Sequence, residues 1–358
     1  MSTSRPALVV IGGGIAGISL AARASEDFNV TVLEAESQPA YHSSGRSAAV
    51  AIECYENEVV RALTVPGMDF HRSHGAKPIG CVTIADEDHL AELAAFEAQW
   101  APVSDSLVEM EVADMLARVP ILRPERVSRV LIETQALSLD AHAELESFRR
   151  QLLAGGGRIV TRARVERIAR RDGQWEIGWA GETLRADVLV NAAGAWGDEL
   201  AALAGVAPLG LQPKRRTAFL LDLPMDISGW PLVHRAEGGL YFKPEAGSLM
   251  VSLAEATPSA PCDAQPEELD LAVAVDRFQS LTTVEVRRMA HTWAGLRTFL
   301  PDGYPAAGYD PDADGFFWLV GQGGFGIQTA PGLSEVAAGL LKDIDHPLAA
   351  RIAPARFR

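Results

Sequence analysis

The chain opens with an apolar run, Leu8 to Ile11, then a small-residue stretch of helical character from Ile15 to about Ala24, then a β-branched run from Val30 to Leu33. This pattern predicts strand, helix, strand. Helical spacing continues over about Glu58 to Ser73 and Glu87 to Trp100, with a strand at Gly80 to Ala85 between them. A further helix is predicted from about Asp140 to Ala154, with Ser138 or Asp140 as its cap and Gly155-Gly156-Gly157 as its stop. After it, strand signals run from Arg158 to Trp179, including one strand over Thr161 to Ile168, and turns at Asp172-Gly173 and Gly181 give the rhythm of a small antiparallel sheet. Val188 to Val190 predicts a buried strand leading into Asn191 to Gly194 and a helix from Trp196. Leu211 to Phe299 is strand-rich, with turns at Gly238-Gly239 and Gly247 and one helix near Pro266 to Ser280. Phe316 to Val320 predicts a last strand, feeding a glycine-rich turn and a helix from about Leu333 to Leu341.

This order predicts two interleaved domains. Residues 1–82, 140–210 and 300–358 form a nucleotide-binding domain, and 83–139 and 211–299 a β-rich substrate-binding domain. A length of 358 residues agrees with that number at ~150 residues each. The net charge of −15 disfavours nucleic acid and anionic membrane partners. Cys54, Cys81 and Cys262 form no C-x-x-C pair, so neither a disulfide framework nor a zinc site is expected, and a reducing cytoplasm fits best. Ala7 to Ala22 imitates the apolar region of a signal peptide. It is too short and glycine-rich to span a bilayer, and Val30 to Leu33 behind it reads as a strand of the same unit, so no integral membrane segment is expected.

Gly12-Gly13-Gly14-Ile15-Ala16-Gly17 satisfies G-x-G-x-x-G directly after a strand and at the start of a helix. Glycines there permit a tight turn and a close approach to pyrophosphate, which faces the helix N-terminus. Glu34 ends the second strand, with Ala35 beside it. A carboxylate at that place accepts from ribose hydroxyls and repels a 2′-phosphate, which points to FAD or NAD and not NADP.

Three further segments separate those two. Tyr41-His42-Ser43-Ser44-Gly45-Arg46-Ser47-Ala48-Ala49, Val190-Asn191-Ala192-Ala193-Gly194-Ala195-Trp196 and Gly321-Gln322-Gly323-Gly324-Phe325-Gly326-Ile327-Gln328 resemble flavin-contacting segments of the D-amino-acid oxidase family. Leu209 to Ala218 and His291 to Phe299 are most similar to its D-arginine dehydrogenase branch. The resemblance covers nearly the whole chain. It implies an α/β fold, a Rossmann-like FAD-binding domain of the glutathione-reductase type with an interleaved β-rich α+β substrate domain, and non-covalent FAD. It also implies that Val165 contacts adenine. The N-terminus of the last helix, approached through Gly323 to Ile327, suits the negative charge of a reduced flavin.

An amino-acid carboxylate calls for arginine, whose planar fork makes two parallel hydrogen bonds. Arg297 and Arg216 match carboxylate-contacting arginines of the family, and Tyr241 and Tyr55 match tyrosines near its substrate. The branch's acidic partner for a cationic side chain falls at Gly80, beside Ile79, and Val50 and Ile52 replace a polar pair. Leu232 extends this apolar wall, His234 is a further candidate, and Gly324 and Gln328 complete the expected pocket. A buried guanidinium would lack its counter-charge there, so a neutral side chain is expected. The expected reaction is oxidative deamination of a D-amino acid, passing electrons to oxygen, a quinone or another acceptor. Oxidation of N-methyl or secondary amino acids by the same chemistry is the alternative. No metal is expected.

Overall fold

The computed structural model of the chain describes residues 5–358, so residues 1–4 of the expected nucleotide-binding domain lie outside the described residues. Its centre is a six-stranded sheet in the order Ala306–Tyr309, Phe316–Val320, Val188–Asn191, Ala7–Ile11, Asn29–Leu33, Arg158–Val160. All neighbours are parallel except the first pair. Parallel strands covered on both faces need apolar side chains in both directions, which explains the unbroken hydrophobic runs. Leu8 and Val10 belong to the core packed under helices, while Val9 and Ile11 belong to the core on the opposite face. The first face carries helices Ile15–Ala24, Ala141–Ala154 and Gly326–Leu340. An antiparallel sheet of Arg167–Arg171, Gln174–Trp179 and Glu182–Ala186 covers the second, through Trp175 and Ile177.

A nine-stranded sheet forms the other half, built around Gln212–Leu221, which pairs antiparallel with both Ser248–Ser252 and His291–Phe299. Its core packs against helix Glu268–Leu281 through Ala274, Phe278 and Leu281. Strand Cys81–Ala85 lies wholly in this sheet, so the expected boundary at residue 82 cuts a strand and moves to its start.

Several elements depart from expectation for local reasons. The helix expected over Glu58 to Ser73 is broken into Glu58–Thr64 and Met68–Ser73 by a 3-10 turn at Val65–Gly67, where Pro66 has no N–H for the ladder. Asp140, and not Ser138, caps the helix after it, accepting from the Ala143 amide at 2.8 Å. Ser138 pairs in a short strand with Val50 and Lys77. The strand expected at Thr161 to Ile168 is a loop as far as residue 166, with Arg162 at φ 55°. The helix expected from Leu333, which a short helix at Ala349–Ile352 follows, begins at Gly326 and runs through Pro331. Packing by helices Ile15–Ala24 and Glu58–Thr64 holds it together there, and the Arg23 guanidinium donates to the Pro331 carbonyl at 3.1 Å.

Candidate active site

One cavity of about 860 Å³ runs from the glycine turn after the first strand to the face of the nine-stranded sheet turned away from helix Glu268–Leu281. At its inner end the turn is built by close approach. Gly12 has φ +113°, and a Cβ there would lie 2.3 Å from the Ala192 carbonyl oxygen. Gly17 packs the helix back on the turn, since a Cβ there would meet the Gly12 carbonyl oxygen at 2.0 Å. The helix from Ile15 has Gly14 as N-cap, with no side-chain cap, and the Ile15 amide donates to Ser44 Oγ at 2.9 Å. Glu34 is buried, and its two oxygens accept from the Gly13 amide at 2.7 Å and the Glu36 amide at 2.8 Å. Each carboxylate oxygen retains acceptor capacity for ribose hydroxyls. Ala35, Ala192, Ala193, Gly194, Trp196 and Val165 line the same end, Val165 from the loop and not from a strand.

The middle is lined by Ser43, Ser44, Ser47, Ala48, Ala49, Gly323, Gly326 and Ile327. Arg46 reaches the wall, but its guanidinium is taken up by the carbonyls of Ala264 at 2.8 Å and Ala294 at 3.0 Å and by the Asp263 carboxylate. It clasps the two halves of the molecule. Gln328 is fully engaged too, bonding both backbone groups of Ile52 and Thr64 Oγ1, so its amide fixes the Ile52 wall. Gln322, part of the last flavin-like segment but not among the expected site residues, lines the cavity with a buried Nε2 that has no partner among the described residues. A buried donor without an acceptor is costly, and a polar ring edge would complete it. The glycine cradle, the acceptor Glu34 and this orphan donor fit FAD along the cavity.

The outer end holds the two arginines. Lys214 pairs with Arg297 and Arg216 with Gly295 across the strands, so the arginines are diagonal neighbours on one sheet face. Arg297 Nη2 donates to Tyr55 Oη at 2.6 Å, and the guanidinium lies against Gly324, where a Cβ would be 1.8 Å from Nε. Arg216 Nε donates to the Glu255 carbonyl at 2.6 Å. Burial pulls the Arg297 pKa down, but Tyr55, Tyr241 and Glu56 outweigh it and leave the value raised. Burial, then repulsion from Arg297, lowers that of Arg216. Burial raises that of Glu255, whose carboxylate sits behind Arg216. Sequence reading missed Glu255 because nothing in Ala254-Glu255-Ala256 shows that the chain folds back, at Ala254 with φ 58°, onto Arg216.

Val50, Ile52, Leu232, Tyr241 and His234 line this end. His234 Nε2 bonds Thr83 Oγ1 at 2.8 Å, and burial pushes its pKa down to about 4, so the ring is neutral at pH 7. Four expected residues do not line the cavity. Gly17 and Gly45 serve close backbone packing, the latter with its Cβ position 2.3 Å from the Ala40 carbonyl oxygen. Gly80, at φ +72°, opens strand Cys81–Ala85, and a Cβ there would face Ile132 and not the substrate wall. Phe325 is buried behind Tyr55 and Phe299, with ring centroids 6.5 and 6.1 Å away. Among the described residues, no His, Cys, Asp and Glu cluster could hold a metal, and no helix is long and apolar enough to cross a membrane.

Comparison with known proteins agrees with this geometry. The chain is 28% identical to the tRNA 5-methylaminomethyl-2-thiouridine biosynthesis bifunctional protein MnmC of Caulobacter sp. strain K31, over 98% of this chain and 57% of that protein. It spans about half the length of the curated relatives it matches. The L-proline dehydrogenase structure from P. horikoshii superposes with TM-score 0.88 at 19% identity, covering 99% of this chain and 98% of that one. The glycine oxidase structure from Geobacillus kaustophilus gives 0.87 at 18%, covering 99% of both. The family model of FAD dependent oxidoreductases matches residues 7–340, a span that takes in the glycine turn, both arginines and the start of the last long helix. The chain therefore belongs to the FAD dependent oxidoreductase family, DAO, and FAD is its cofactor.

Proposed function

We propose that the chain oxidises the Cα–N bond of an α-amino acid with a neutral side chain, with D-amino acids the favoured substrates. The carrying observation is that Arg297 and Arg216 open, on one sheet face, into the cavity that begins at the glycine turn. Bound FAD supplies the two-electron oxidant that accepts the hydride from Cα. Arg297 grips the substrate carboxylate as a fork, held flat by Gly324 and oriented by the Tyr55 hydroxyl. Tyr241 lines the same cavity, which supports a role in holding the carboxylate or amine. With the amine neutral, its lone pair forms the C=N bond as hydride leaves, and the N–H proton passes to water. Water then converts the imino acid to a 2-oxo acid and ammonia. Positioning carries much of the rate, because His234 is fixed by Thr83 and no side-chain base is required.

The apolar wall of Val50, Ile52 and Leu232 supports a neutral side chain. The Cys54 thiol lines the cavity, but burial and then Glu133 push its pKa up to about 12, which supports non-covalent FAD. In this reading the flavin unit takes residues 5–80, 140–210 and 300–358. Anaerobic mixing with both enantiomers of an amino-acid panel, followed by air, tests the proposal. D-enantiomers bleach the flavin, and air shows whether oxygen is an acceptor. Bleaching by no member removes the reading.

Secondary or N-methyl amino acids are a second reading, favoured by the names of two relatives, a methylaminomethyl pathway protein and an L-proline dehydrogenase. Sarcosine and proline in the same panel decide it, with formaldehyde from sarcosine in place of ammonia.

A further inference from the structure

We infer that the outer end of the cavity is a subsite for a large apolar or aromatic substrate side chain, an inference that rests on the amino-acid reading above. The wall can be traced outward from the arginines. Tyr241 lies beside Arg297 and Arg216, and it pairs across the sheet with His234. The His234 ring meets Phe96 edge to face, with centroids 6.0 Å apart. Phe96 and Trp100 come from one helix, Leu90–Trp100, and pack with Cys54 next to Tyr55. Both aromatic rings, with His234, line the cavity, and no sequence motif assigns this helix a part in the site.

The chemistry of that wall is one-sided. Phe96, Trp100, Leu240 and Met250 are apolar, and His234 is tied to Thr83 and buried. It therefore offers the cavity a neutral ring. Gly238 and Gly239, at φ +77° and +78°, also line the cavity and add no side chain to it. Gln99 and the exposed carboxylate of Glu56 are the polar groups of the outer wall that a substrate would meet. A carboxylate seated on Arg297 leaves the side chain one bond from Cα, beside Tyr241 and directed along this wall. Methyl-sized side chains leave the aromatic wall bare, whereas phenylalanine or leucine covers it.

Anaerobic stopped-flow reduction of the holoenzyme with both enantiomers of alanine, leucine, phenylalanine and arginine is the test. Reduction rate divided by Kd is expected to be at least about tenfold higher for leucine and phenylalanine than for alanine, since each buried methylene adds about tenfold or more. Phe96→Ala should narrow the phenylalanine-to-alanine ratio by about fivefold or more, and Phe96→Leu should restore part of it. Flavin content and circular dichroism establish that both variants are folded. Alanine equal to phenylalanine, or arginine best of all, overturns the subsite while leaving amino-acid oxidation standing. Bleaching by no amino acid overturns both together.

Discussion

At the residue scale, the proposed site depends on what one guanidinium can do that an ammonium cannot. Arg297 meets Tyr55 with one nitrogen and lies flat on Gly324, leaving its other donors for a planar acceptor. Arg297→Lys should lower kcat/KM by about tenfold to hundredfold, since a charge-assisted hydrogen bond contributes about 1.5–3 kcal/mol. Steady-state kinetics on flavin-replete enzyme check it, and an unchanged kcat/KM would remove Arg297 from the carboxylate. Gly324→Ala should act in the same direction, because a Cβ 1.8 Å from Nε forces the guanidinium off its seat. His234 makes a separate prediction about stability. Its folded value of about 4 lies below the usual histidine value of 6.5, so between those pH values the unfolded chain binds a proton that the folded chain does not. Stability from this ring is full above pH 6.5 and is lost as pH falls toward 4, by at most about 3 kcal/mol. Urea midpoints of wild type and His234→Gln across pH 4 to 7 should converge at the acid end.

At the scale of elements, the glycines of the first turn act through backbone contacts. Gly12 combines a left-handed φ with a carbonyl 2.3 Å from where a Cβ would be, so Gly12→Ala must move either the turn or strand Val188–Asn191. The expected outcome is protein purified without its yellow cofactor, read as the 450 nm absorbance per chain; full flavin content would mean that the turn does not hold the pyrophosphate. The last long helix shows where element prediction stops. Pro331 has no N–H, so a sequence reading starts the helix after it, yet neighbouring helices carry it through from Gly326. The consequence is functional, because the earlier start brings the helix N-terminus to the cavity wall at Gly326 and Ile327.

At the scale of the molecule, the cavity lies where the parallel sheet and the nine-stranded sheet meet. Strand His291–Phe299 spans the junction, with Ser43 Oγ donating to the Leu296 carbonyl at 2.6 Å and the Gly323 amide to the Thr298 carbonyl at 2.9 Å. Arg46 adds the clasp to Ala264, Ala294 and Asp263. Arg46→Ala should weaken FAD retention without contacting the carboxylate site, seen as faster flavin loss on dilution with substrate Kd unchanged for the holoenzyme that remains. On the proposed reading FAD binds the folded chain across this junction, so its removal should lower stability by about 4 kcal/mol at free FAD a thousandfold above Kd. Differential scanning calorimetry of holo and stripped protein measures this, and equal Tm values would mean that the folded chain does not bind FAD in preference to the unfolded one.

The sequence by itself determined the nucleotide-binding unit, because its signals are local: a glycine turn between strand and helix, a carboxylate ending the next strand, and apolar runs that only a sheet covered on both faces can bury. It also singled out Arg297, Arg216, Tyr241 and Tyr55 through motifs spread along the chain, and all four line one cavity. Only the tertiary structure decided what each of these faces. It turned Gly80 toward Ile132, engaged Arg46 in a clasp, set Glu255 behind Arg216 and brought Phe96 and Trp100 to the cavity. Those outcomes depend on contacts between residues far apart in the chain, set by the packing of one sheet against another, and no local spacing encodes them.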